Sequence, residues 1–192
     1  IIKVASIPRE RIQVYFIDND EYFKRKATFT DEDGKLFSDN DERAIFFAKG
    51  VVETVKKLNW SPDIIHVQGW MASLLPLYLK KFYADEPLFS ESKIIMSVYG
   101  QGFDGTLDKD LIKKIAFDGV PEESIKALEE PNYNNLLKVA VDYADAVILA
   151  AEDIPADLEN YISKLEKPVL PFVPLQEFEE AYVNFYNTKV LK

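Results

Sequence analysis

The sequence has no cysteine and only one histidine among its 192 residues, and each shortage removes a class of chemistry. Without cysteine there is no disulfide framework, no thiolate nucleophile and no thiolate metal site, a usage expected of a reducing, cytoplasmic compartment. One imidazole cannot build a zinc site without further ligands, so no metal is expected. The chain has no apolar run of the roughly 18 to 20 residues that crossing a bilayer requires, and no charged stretch followed by an apolar one that would read as a secretory leader. It opens on Ile1-Ile2-Lys3-Val4 instead of methionine, from which we expect the parent protein to hold residues upstream. Positive charge is also scarce: 23 Lys and Arg stand against 33 Asp and Glu, a net charge of −10. That field repels phosphate backbones and anionic lipid, so neither nucleic acid nor a membrane surface is an expected partner.

What is present describes a folded globule. Apolar residues make up 47% of the chain and aromatics 13%, too much for a disordered segment. The length suits one domain with a sizeable core.

The pattern of residues alternates strands with helices. Residues 1–7 and 11–17 are β-rich runs broken by Pro8, which predicts a hairpin, and Asp33-Gly34 predicts a second, smaller turn. A helix is expected after Asp39-Asn40-Asp41, whose short polar side chains suit a helix start; Ala44, Phe47, Val51, Val55 and Leu58 then recur at helical spacing. Short apolar strands are expected at residues 63–67, 94–99 and 146–150, and helices at 70–83, 107–117, 134–143 and 156–165. An apolar stretch interrupted by proline follows at 167–173, and an amphipathic helix closes the chain at 176–192. Such alternation predicts an α/β fold, a Rossmann-like parallel sheet with helices on both faces, in which ligands gather at the carboxyl ends of the strands.

Several motifs bear on chemistry. Gly100-Gln101-Gly102-Phe103-Asp104-Gly105 follows a predicted strand and has the spacing of a dinucleotide-binding loop. The acid that should hold a ribose about 20 residues on is missing, because residues 118–131 form a polar, proline-broken stretch; a flexible glycine loop is the better reading. His66 ends a buried strand, where a hydrogen-bonded imidazole is the plain expectation. Glu152 and Asp153 follow the third apolar strand and read as acids at a helix entry, ahead of Pro155.

Four segments, taken in order, resemble the N-terminal catalytic lobe of bacterial glycogen synthases and plant starch synthases. They are Val14-Tyr15-Phe16-Ile17-Asp18-Asn19 with Glu21-Tyr22-Phe23-Lys24-Arg25; Asp39-Asn40 with Glu42-Arg43 and Phe46-Phe47; Pro62-Asp63-Ile64-Ile65-His66 with Trp70; and Tyr143-Ala144-Asp145-Ala146-Val147. The resemblance implies a two-lobed glycosyltransferase moving glucose from ADP-glucose to the end of an α-1,4-glucan with retention, without a bound cofactor. It implies that this chain is one lobe, with its first strand region missing and residues 174–192 appended as an amphipathic helix. It also implies substrate contacts at Asp18, His66, Gln68, Gly69, Trp70, Tyr99 and Gly100, and α-glucan or a nucleotide sugar as partners, with a second lobe or a homo-oligomer completing the protein.

The chain departs from the pattern of that family at the positions that matter. The family's Lys-x-Gly-Gly loop would lie upstream of Ile1. Its His-x-His-Asp-Trp run is here His66-Val67-Gln68-Gly69-Trp70, and its His-Asn pair is here Tyr99-Gly100. A Ser-Pro after the third strand corresponds to Ala151-Glu152. No catalytic residue is therefore assigned, and impaired turnover is expected of the chain alone. A non-catalytic glucan-binding or regulatory module is the alternative, and an NAD(P)-dependent oxidoreductase, resting on the glycine loop alone, is a further one.

Overall fold

The computed structural model describes residues 1–100 and 102–192. Alternating apolar positions build two separate sheets. Strands β1 (Ile2–Ile7) and β2 (Ile12–Ile17) pair antiparallel as the expected hairpin, with Val4 opposite Tyr15 and Ala5 opposite Val14. One turn of helix, α1 (Asp20–Phe23), follows, capped by the side chain of Asn19 on the N–H of Tyr22. The Asp33-Gly34 turn forms as predicted: Gly34 has φ of +79°, Asp31 accepts from the N–H groups of Asp33 and Lys35, and Thr30 bridges Leu36.

The main sheet has four parallel strands, β3 (Ile64–Gln68), β4 (Lys93–Val98), β5 (Ala146–Leu149) and β6 (Val169–Leu170), side by side in chain order. Each new strand adds on the same side, so right-handed crossovers send the connecting helices to one face. That face buries Val67, Ile94, Met96, Val98 and Val147 against α2 (Asn40–Leu58), α3 (Leu75–Lys81), α4 (Leu111–Phe117), α5 (Tyr133–Tyr143) and α6 (Ala156–Ile162). The opposite face presents the alternate residues Ile64, Ile95, Ala146, Ile148 and Leu170. Its cover is the closing segment, α7 (Phe178–Phe185) with a π-turn over Tyr186–Val190, through Tyr182, Phe185, Tyr186 and Val190. The sheet is thus flanked by helices on both faces, in five-to-one proportion. The hairpin attaches to this body by Ile17, whose side chain packs on α2 where Gly50 has no Cβ to block it.

Several elements are shorter than the periodicity predicts, each for a local reason. Residues 70–83 divide into a 3-10 turn, Trp70–Ala72, and α3, because Pro76 suits a helix's first turn and not its interior. Pro168, Pro171 and Pro174 remove ladder donors, so only Val169–Leu170 of the 167–173 stretch is strand. Asp39 does stand at the start of α2, but its carboxylate binds Arg25 instead of a helix N–H. Among the described residues no helix is long and apolar enough to cross a membrane.

Candidate functional site

The carboxyl ends of β3 and β4 lie side by side, and the expected residues at these positions follow from the two-residue period of a strand. His66 and Gln68 point to the face under α7, as do Ser97 and Tyr99 from the neighbouring strand. Tyr99 donates to Oε1 of Gln68 at 3.1 Å, tying the two strand ends together. His66 lies one step deeper. Its Nε2 meets Oγ of Ser97 at 2.7 Å, and its Nδ1 meets the hydroxyl of Tyr186, from the π-turn, at 2.8 Å. Both ring nitrogens are therefore engaged, and burial pulls the imidazole below its ordinary pKa, favouring the neutral form.

After β3 the chain turns sharply at Gly69, with φ 78° and ψ 150°, a region essentially reserved for glycine. Nothing lies within 4 Å of the point a Cβ would occupy, so the constraint belongs to the backbone alone. The turn sends Trp70 to the other side of the sheet end, where its ring sits between Phe29 and Phe103 at centroid distances of 4.8 and 4.9 Å. Phe103 in turn stands edge-on to Tyr133 at 5.9 Å. Phe29, Trp70 and Phe103 floor an open cleft of about 870 Å³ that includes Thr28, Ser38 and Asp104, and Tyr133 lines the recess that adjoins it. The cleft runs past Gly102 and Phe103 into this recess, of about 510 Å³, beside Gly100, Asn132 and Asn134.

The floor is held from below. Asn40 donates to the carbonyl of Phe29 at 2.8 Å, Arg43 donates to Oδ1 of Asn40 at 2.5 Å, and the rings of Phe23 and Phe37 lie against the Arg43 guanidinium. The Asp39-Asn40-x-Glu42-Arg43 segment thus positions an aromatic ring of the cleft. On the other side, Tyr133 donates to the carbonyl of Tyr99 at 2.6 Å, and its hydroxyl is pushed up to about 12, chiefly by burial. Burial likewise raises Tyr99, and raises Tyr186 to about 12. The titratable rings at these strand ends are therefore all held toward their neutral forms, in which they hydrogen-bond.

The glycine loop serves packing. A Cβ on Gly100 would collide with Asp153, and one on Gly102 with the ring of Tyr133. The space a pyrophosphate would need is filled by a carboxylate and a phenol, and the next helix in the chain, α4, begins only at Leu111 and does not open on the glycines as a dinucleotide-binding helix does; the starts of α5 and α6, at Asn132–Asn134 and Pro155, border the recess instead. Gln101 lies outside the described residues. Among the described residues no three His, Asp or Glu side chains cluster as metal ligands do.

Of the seven expected contacts, the structure brings Gln68, Gly69, Trp70, Tyr99 and Gly100 to the strand ends. It places His66 beneath them under α7. Asp18 is elsewhere, at the end of β2 in the hairpin, where it pairs with Lys3 at 2.5 Å and closes on the chain's amino end. Sequence reasoning did not single out Phe29, Phe103 or Tyr133. Phe103 and Tyr133 were within reach, the first inside the glycine loop and the second just after Pro131, but an aromatic on a loop carries no sign of which cavity it floors.

A parallel α/β lobe with a cleft at the strand ends, floored by rings and rimmed by amide and hydroxyl groups, is the architecture of a glycosyltransferase catalytic lobe. The chain belongs to the family described as the starch synthase catalytic domain, whose model matches residues 1–158. It is 40% identical to a glycogen synthase of Chlorobium limicola over 146 residues, 75% of this chain and 29% of that protein. It is also 32% identical to one of Thermotoga petrophila over 166 residues, 84% of this chain and 32% of that protein. The chain therefore spans about a third of the length of the curated relatives it matches. The catalytic domain of starch synthase IV from Arabidopsis thaliana, solved with ADP and acarbose, shares the fold with a TM-score of 0.64 at 16% identity, over 90% of this chain and 36% of that one.

Proposed function

We propose that this chain is the N-terminal lobe of a glucan-extending glucosyltransferase, that its cleft receives an α-1,4-glucan, and that the reaction it serves is transfer of glucose from ADP-glucose with retention. The observation that carries the reading is the row Phe29–Trp70–Phe103–Tyr133 at the sheet's carboxyl edge. Phe29 and Phe103, the partly exposed members of the row, offer faces for the apolar C–H surface of a pyranose, with Trp70 and Tyr133 (6% and 8% exposed) packed behind them, while Asn132 and Asn134 line the adjoining recess where ring hydroxyls would be met. In the cell the lobe works in the cytoplasm with a second lobe, on the same or another polypeptide, supplying the groups that bind the leaving diphosphate.

Turnover by these 192 residues alone is negligible in this reading. Departure of a nucleoside diphosphate needs donors or cations aimed at the charge that develops, and losing one such contact costs about 2.7–4 kcal/mol of barrier. Here Gly69 offers no side chain, and the imidazole of His66 is turned under α7 with both nitrogens occupied. The test is incorporation of radiolabelled ADP-glucose into glycogen, with migration through glycogen-containing native gels run in parallel. We expect retarded migration and no incorporation. Robust incorporation overturns the claim of negligible turnover, and unretarded migration overturns the assignment of a glucan.

A further inference from the structure

The two walls of the cleft come from separate segments, residues 28–38 before α2 and residues 102–108 before α4. The first wall is held by the opening turn of α2, through Asn40 on the carbonyl of Phe29 and Asp39 on Arg25. The second is tied to the start of α5, where the N–H of Leu107 donates to the carbonyl of Pro131 at 3.0 Å and Thr106 bridges Asn132. Among the described residues one cation, Lys114 of α4, joins this second segment to the same turn of α2 by ion pairs. It donates to Oδ2 of Asp41 at 2.7 Å and to Oε1 of Glu42 at 2.8 Å, and its ammonium lies 4.0 Å from Oδ2 of Asp108, which lines the cleft. Asp41 is at 0% exposure, and Oδ1 of its carboxylate has no hydrogen-bond partner among the described residues, so its charge rests on Lys114. Burial pushes the Asp41 carboxyl up. Burial also opposes the charge of Lys114, yet hydrogen bonds to Asp41 and Glu42 hold that ammonium above its ordinary pKa. Removing the cation leaves a buried carboxylate unpaired, which sets this link apart from an exposed surface pair.

We propose that Lys114 is a positioning residue for the cleft: bound to Asp41 and Glu42 beneath one wall and beside Asp108 of the other, it sets the spacing of the two walls and so the fit of the sugar between them. The rings show what that spacing controls. Phe29 belongs to the first wall and Phe103 to the second, and Trp70 is gripped between them at 4.8 and 4.9 Å. A tie that fixes the walls therefore fixes the floor, and a floor left loose by a fraction of a side chain no longer matches its ligand. The inference rests on the glucan reading for the identity of the ligand and not for the tie itself.

The readout is Trp70 in the full chain carrying Trp60→Phe, since the sequence holds only these two tryptophans. Without ligand, Lys114→Met is expected to raise acrylamide quenching of Trp70 about twofold, and Lys114→Arg, which keeps the cation, to leave it at the parent value. Lys49→Met is the control. It breaks the 2.7 Å pair of Lys49 with Asp118, which joins α2 to the far end of α4, and is expected to lower stability without changing the quenching. Titrated with maltoheptaose, Lys114→Met is expected to bind about fivefold more weakly than the parent, and Lys114→Arg and Lys49→Met to bind as the parent does. Where circular dichroism shows Lys114→Met unfolded, Asp41→Asn combined with Lys114→Met removes the buried charge together with its partner and carries the same expectation. Parent-like quenching in Lys114→Met, an equal gain in Lys49→Met, or raised quenching with unchanged affinity overturns the positioning role. Failure of arginine to rescue overturns the ionic tie. Raised quenching confined to Lys114→Met, in a parent chain that does not respond to maltoheptaose, supports the tie and removes the glucan reading instead.

Discussion

Gly69 shows how a departure from a family pattern can be a matter of backbone. Where the family carries an acid, this chain has a glycine at φ 78° and ψ 150°, with open space around its missing Cβ. An aspartate placed there would be strained although it has room. Gly69→Asp is expected to lower stability by about 1–3 kcal/mol, read by urea denaturation, and to restore no glucosyl transfer. An unstrained, fully stable variant would mean that the turn accepts side chains after all. His66 makes a second prediction, about pH. Burial lowers its pKa in the folded protein, and it is faced by the hydroxyls of Ser97 and Tyr186 and by the ring of Tyr182, with no carboxylate to favour the cation. As pH falls below about 6.5, the unfolded chain takes up a proton that the native imidazole resists, so stability present above that pH is lost toward the lower native pKa. Thermal midpoints between pH 7.5 and 5 are expected to fall less steeply for His66→Gln than for the parent chain. Equal slopes would place the imidazole in solvent. The sequence marked His66 as a hydrogen-bonded strand-end imidazole, and it is one; its second partner, Tyr186, lies 120 residues away and no local pattern announces it.

Elements were predictable where one face of a periodic segment is buried, and less so where proline or a sharp turn decides. The long helix α2 and the strands β3, β4 and β5 stand where spacing and apolar runs put them, because tertiary burial and local preference agree there. The 70–83 and 167–173 stretches are cut short by Pro76, Pro168 and Pro171. The closing segment carried the largest hidden consequence. Its amphipathic pattern announced a helix, but only the topology shows that α7 and the π-turn are the cover for a whole sheet face. Phe185 is buried to 5% exposure in that layer. Phe185→Ala is expected to cost about 3–5 kcal/mol by chemical denaturation, and to release Tyr186 from His66, visible as a shift of the His66 ring resonances. Near-neutral stability would show α7 to be an ornament on a self-sufficient sheet.

For the molecule as a whole, the arrangement separates roles by position. Among the described residues one face of the sheet carries five helices and the other carries α7 with its π-turn, and the carboxyl edge carries the ring-floored cleft. The four collinear segments that suggested the family also explain why the cleft could be placed but not furnished in advance. Pro62-Asp63-Ile64-Ile65-His66 with Trp70 fixes which strand end matters, whereas Phe29, Phe103 and Tyr133 arrive there from the loop before α2, the glycine loop after β4 and the start of α5. The account stands on the claim that this edge binds α-glucan over the ring row in which Trp70 is packed. The most direct measurement is emission from Trp70 in the Trp60→Phe chain during titration with maltoheptaose, with cellopentaose as the comparison sugar. A saturable change with maltoheptaose and a weaker one with cellopentaose is the result predicted, and an emission spectrum unmoved by either sugar at millimolar concentration contradicts it.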